Sequence, residues 1–123
     1  MCIRDSLKAE VLQLVGKDDE AYELLNELVK DHPLEGAAFL QLGTLAWKAK
    51  KYDRAELHFE RATKSEASAF KALIEHARML VALGNYNKAC ELLRRSLIIE
   101  PQPRVERYLR IVQNLAISAR TNL

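Results

Sequence analysis

The sequence predicts an all-α solenoid of three helix pairs followed by a C-terminal capping helix. Three observations carry this. A short motif recurs at a fixed interval. The chain is rich in Ala, Leu, Glu, Lys and Arg, with only four glycines and three prolines to interrupt it, a composition that favours helix. Between the recurrences, apolar residues follow helical spacing.

The motif is Asp18-Asp19-Glu20-Ala21, then Tyr52-Asp53-Arg54-Ala55, then Tyr86-Asn87-Lys88-Ala89, and the closing alanines are 34 residues apart. Other positions keep the same interval. Gly16 and Gly84 lie five residues before the Ala, and Lys50 takes that place in the middle repeat. Leu25, Phe59 and Leu93 lie four residues after it, and Leu28, Ala62 and Ser96 seven after. Pro33 and Pro101 lie twelve after, where the middle repeat has Ala67. Each part has a physical task. Gly takes the left-handed conformation that ends a first helix at low cost. Ala lets two helix backbones approach closely, and the large residue one turn later fills the space beside them. Pro stops the second helix.

The elements follow in order. Helices are predicted over about 7–15 and 19–31, 35–49 and 53–64, and 69–83 and 87–99, with a last helix over about 104–119. Leu24, Leu25, Leu28 and Val29 share a face of the second, and Leu73, Ala77, Leu80 and Val81 a face of the fifth. In the last helix Val105, Tyr108, Leu109, Val112, Leu115 and Ala116 form an apolar stripe. Glu106, Arg107, Arg110, Gln113 and Asn114 lie opposite, the pattern of a helix that closes a repeat array.

At this interval and with these residues the chain resembles the tetratricopeptide repeat family. The middle repeat carries the signature best, with Phe39, Leu42, Gly43, Tyr52, Ala55, Phe59 and Ala62. The third matches through Leu73, Ala77, Leu80, Gly84, Tyr86, Ala89, Leu93 and Pro101, and the first through Ala9, Leu12, Gly16, Ala21, Leu25 and Pro33. The resemblance implies a right-handed α-α superhelix over residues 7–120, with repeats at about 2–34, 36–69 and 70–103. It also implies a scaffold that binds a peptide or protein segment in a concave groove lined by first helices. Carried onto this chain, that face comprises Leu40, Thr44, Trp47 and Lys48, then Lys71, Ile74 and Arg78. The expected partner is a protein segment with apolar anchors and acidic flanks. Trp47 is either such a partner's aromatic contact or the filler of space left by Ala46, where the family usually has an aromatic. Some family members clamp a C-terminal carboxylate with Lys and Asn. Here Ser6, Glu10 and Thr44 stand at those places, so no clamp is expected.

Other functions find little footing. The net charge is only +2, and no nucleic-acid partner is expected. Pentatricopeptide arrays read one RNA base per repeat from defined polar positions, whereas the groove positions here change character between repeats. No apolar run approaches the ~20 residues of a membrane span. His32, His58 and His76 lack convergent companions for a metal. Cys2 and Cys90 make no disulfide framework and fit a reducing compartment such as the cytoplasm. No nucleophile–base pairing, phosphate loop or paired carboxylates stand out. The reading is therefore a non-enzyme without cofactor.

Charge is unevenly spread. Residues 1–33 hold four basic and eight acidic side chains, and the remainder fifteen basic and nine acidic. Residues 1–6, Met1-Cys2-Ile3-Arg4-Asp5-Ser6, resemble a translated sequencing-adapter scar. On that reading they are a non-native leader, and the chain is a fragment of a larger repeat-containing assembly factor or of an enzyme's targeting arm.

Overall fold

The computed structural model describes residues 3–121, with side chains from 7 to 120. All regular structure among the described residues is helical: α1 (Ile3–Leu14), α2 (Asp18–Asp31), α3 (Gly36–Lys48), α4 (Tyr52–Ala62), α5 (Glu66–Ala82), α6 (Tyr86–Ile99) and α7 (Pro103–Thr121). The chain divides into two compact units, Met1–Ala69 and Phe70–Leu123.

The three tight turns are built alike. Gly16, Lys50 and Gly84 have φ of 80°, 62° and 82°. At each, two backbone bonds close the preceding helix. Gly16 N–H donates to Gln13 and Lys17 N–H to Leu12; Lys50 to Trp47 and Lys51 to Ala46; Gly84 to Val81 and Asn85 to Leu80. This is the Schellman pairing, which satisfies carbonyls that a helix end leaves open. The next helix starts at once, and Ala21, Ala55 and Ala89 each donate to the residue four before, Lys17, Lys51 and Asn85. Asn85 adds a side-chain cap, its Oδ1 accepting from Lys88 N–H at 3.4 Å, whereas Lys17 and Lys51 supply none. Asp18, Asp19 and Glu20 fill the first turn of α2, where negative charge suits the helix dipole.

In the first unit, α1 packs on α2, α2 on α3 and α3 on α4. The repeat positions lie at the centre: Ala21, Leu25, Leu42, Ala55, Phe59 and Ala62 are fully buried. Gly43 is required by the closeness of α3 and α4, since a β carbon there would stand 2.6 Å from the Phe59 ring. Gly36, which the repeat pattern did not single out, is buried at the start of α3. A β carbon there would collide with Ser65 and Ser68.

That contact follows from a difference in helix length. α5 was expected from about residue 69 but begins at Glu66. Ala67 stands where the other repeats have proline, so nothing prevents the helix from taking in the connection. Ser68 is thereby buried, and its hydroxyl donates to the Ala62 carbonyl at 2.8 Å.

In the second unit one core joins Leu73, Ala77 and Leu80 of α5, Ala89, Cys90 and Leu93 of α6, and Val105 and Val112 of α7. Ser96 is fully buried there and donates to the Leu93 carbonyl at 2.7 Å, so its hydroxyl is satisfied within the helix. On α7, Val105, Val112 and Ala116 are buried, whereas Leu115, expected in the same stripe, is 39 % exposed. The helical turn places Leu115 beside Ile111, away from the core-facing line of residues 105, 109, 112 and 116.

Candidate functional site

The residues expected to meet a partner fall on two helices, α3 in the first unit and α5 in the second. On α3, Leu40, Thr44, Trp47 and Lys48 are spaced i, i+4, i+7 and i+8, which sets them along one side. Leu40 and Trp47 are half-buried; Thr44 and Lys48 are exposed. Thr44 turns its hydroxyl back to the Leu40 carbonyl at 3.1 Å. Trp47 thus offers an apolar surface beside a polar margin. Half burial also gives it a packing role.

Lys48 does not stand alone. Its Nζ lies 3.0 Å from Asp18 Oδ2 of α2, with the Lys48 side chain two-thirds exposed. Asp18, Lys48, Asp19, Tyr22, Lys51 and Arg54 border a cleft of about 590 Å³ in this unit, with acidic groups on the α2 side and basic groups on the other. A wall of paired opposite charges does not select an acidic ligand by charge alone.

Tyr22, at the border of this cleft, belongs to a pair that the repeat pattern did not reveal. Tyr22 Oη and His58 Nε2 are 2.7 Å apart, joining α2 to α4. The His58 ring meets Tyr22 edge-on and stacks on Phe39. Burial, reinforced by Arg54 and Arg61, holds the His58 pKa below the ordinary histidine value. The neutral ring then shares one hydrogen bond with the Tyr22 hydroxyl at Nε2. The only sequence signal was the presence of two polar aromatics on facing helices, which spacing alone does not pair.

On α5, Lys71 and Arg78 are exposed, and Ile74 is partly buried against the second unit's core. Arg78 donates to Glu75 at 3.0 Å within the helix. Tyr108 of α7 lies close enough to sense both: burial raises its phenol pKa, Arg78 lowers it and Glu75 raises it. Ile74, Arg78 and Tyr108 therefore belong to one neighbourhood of this unit, and Tyr108 had been assigned only to the apolar stripe. A second cleft, about 730 Å³, lies between α6 and α7, with Lys88, Arg94, Gln113 and Arg120 at its margin. Cys90 lines it as a buried free thiol.

His32 is exposed, His58 half-buried and His76 buried, and among the described residues no group of His, Cys, Asp and Glu converges as a metal site. No described helix is long and apolar enough to cross a membrane.

Helix pairs at a 34-residue interval, closed by left-handed turns and pressed together at Ala and Gly, define a helical-repeat protein. The family model described as Tetratricopeptide repeat matches residues 15–62 and again 40–103, and the chain belongs to the tetratricopeptide repeat family. No curated protein matches the sequence. Repeats of this family generally mediate protein–protein interaction.

Proposed function

We propose that this chain is a non-catalytic recognition module that binds a protein segment in the concave groove that its family resemblance assigns to the first helices of the repeats. The observation that carries the reading is Trp47: a tryptophan left only partly buried on α3, in line with Leu40 and next to the charged Lys48. Aromatic side chains that are partly packed in the free protein make rigid anchors and dominate interface energetics. On α5, Ile74 supplies apolar contact, and Lys71 and Arg78 supply positive charge. The partner that suits these groups is an extended or helical segment with one or two apolar anchors. Acidic flanks would engage Lys71 directly and would compete with Glu75 for Arg78.

The test is a selection of binding peptides from a displayed library, followed by calorimetric titration. Trp47→Ala should weaken the selected peptide by about 2 kcal/mol or more, roughly thirtyfold. Lys71→Ala should act modestly and mainly at low salt. Equal affinity for wild type and a folded Trp47→Ala, Arg78→Glu variant would show that binding lies elsewhere on the chain.

A further inference from the structure

Two clefts occupy the same place in the repeat. One lies in the first unit, bordered by α2, the end of α3 and the start of α4; the other lies in the second unit, between α6 and α7. Their lining residues correspond at two repeat intervals: Asp19 to Asn87, Asn26 to Arg94, Leu45 to Gln113. The position recurs, but the chemistry changes.

The first cleft balances its own charge. Asp18, Asp19 and Glu23 line it together with Lys48, Lys51 and Arg54, and Lys48 is paired with Asp18. In the second, Lys88, Arg94 and Arg120 line the cleft, with Glu91 as the one acid among the described residues there. Arg94 and Arg120 are exposed, and among the described residues neither makes an ion pair. α3 stops at Lys48, the counterpart of Ala116, whereas α7 runs on to Thr121. That extension carries Ile117 and Arg120 to the cleft.

The remaining groups suit a peptide. Asn87, Gln113 and Asn114 present amides, which both donate and accept, as a peptide backbone requires. Ile117, 53 % exposed, adds an apolar patch. Guanidinium groups take carboxylates through paired hydrogen bonds. Tyr108, near Arg78, falls on a different side of α7 from Gln113, Ile117 and Arg120 by helical spacing, so the cleft is separate from the α5 face.

We propose that the α6–α7 cleft is a second recognition site, which takes an acidic protein segment. Carboxylates of the segment meet Arg94 and Arg120, its backbone meets the amides, and an apolar side chain rests on Ile117.

The probe is a fluorescent, capped peptide with several glutamates around one leucine, titrated with the chain and followed by anisotropy. A counterpart with glutamine for every glutamate should bind at least about tenfold less tightly, with the difference shrinking at high salt. Arg94→Ala with Arg120→Ala should weaken the acidic peptide at least about tenfold. Arg95→Ala with Arg104→Ala removes the same charge from exposed positions outside the cleft and should leave affinity almost unchanged. Circular dichroism establishes that the variants keep their helix content. Asn87→Asp restores the residue that the first cleft has at this place. It lies in the first turn of α6, where negative charge favours the helix, so it should weaken binding severalfold without lowering the thermal midpoint. A wild type that does not prefer the acidic peptide would overturn the proposal. So would equal losses in the two double variants, the mark of general attraction to a basic surface. Loss on Lys71→Ala, with full affinity in the Arg94→Ala, Arg120→Ala variant, would overturn it in favour of the α5 face. Tighter binding of an oligouridylate than of the acidic peptide, lost with Arg94 and Arg120, would overturn it in favour of a nucleic acid.

Discussion

Gly43 of α3 lies directly against the ring of Phe59 of α4, with no room between them for a methyl group. The two residues occupy separate halves of one repeat, and each sets the limit on the other. Phe59 is fully buried and fills the space that the missing side chain leaves. Replacing Gly43 by Ala should force the ring from its position and cost about 1–3 kcal/mol, measured by denaturant unfolding. Gly43→Ala combined with Phe59→Leu should recover part of the loss, because the two changes share one space. Strictly additive losses would place the strain elsewhere.

Ala55 is fully buried at the start of α4, where α3 and α4 cross. Ala55→Leu should overpack that crossing and lower stability by about 1–3 kcal/mol. An unchanged thermal midpoint would show that the crossing yields more readily than its burial implies.

Lys50 holds the left-handed conformation that glycine holds at 16 and 84. A side chain in that region costs energy that glycine avoids, offset in part by glycine's greater freedom when unfolded. Lys50→Gly should therefore stabilise the chain by about 0.5–1 kcal/mol. Gly84→Ala should do the opposite. Open space surrounds the Gly84 position, so the loss measured by thermal unfolding reports backbone conformation and not a collision.

His58 makes stability depend on pH. Its pKa in the folded chain lies below that of the unfolded chain because burial and the neighbouring arginines disfavour the charged ring. The unfolded state therefore binds more protons in the window between the two values, and stability falls as pH drops through it. The contribution is fully present above the ordinary histidine value of about 6.5. Thermal midpoints followed downward from pH 7.5 should decline more steeply for wild type than for His58→Gln. Parallel curves would show that the Tyr22–His58 pair does not govern the effect.

The sequence by itself determined the number, order and approximate limits of the helices. It also determined the turn positions and the buried register Ala21, Ala55, Ala89 with Leu25, Phe59, Leu93. These features repeat every 34 residues and follow from local physics: helical spacing of apolar residues, left-handed turns and small residues at crossings. The register even locates the Lys50 turn, since the period demands a left-handed residue there whatever its side chain. Tertiary structure decided what the period does not encode. Ala67 let α5 begin early, and only that extra turn explains why Gly36 must lack a side chain beside Ser65 and Ser68. The pairing of Tyr22 with His58, the bond from Lys48 to Asp18 and the nearness of Tyr108 to Arg78 each join residues far apart in the chain, and each depends on where two packed helices bring their side chains. Spacing within one helix fixes which side a residue occupies; which partner waits on that side is fixed only by packing.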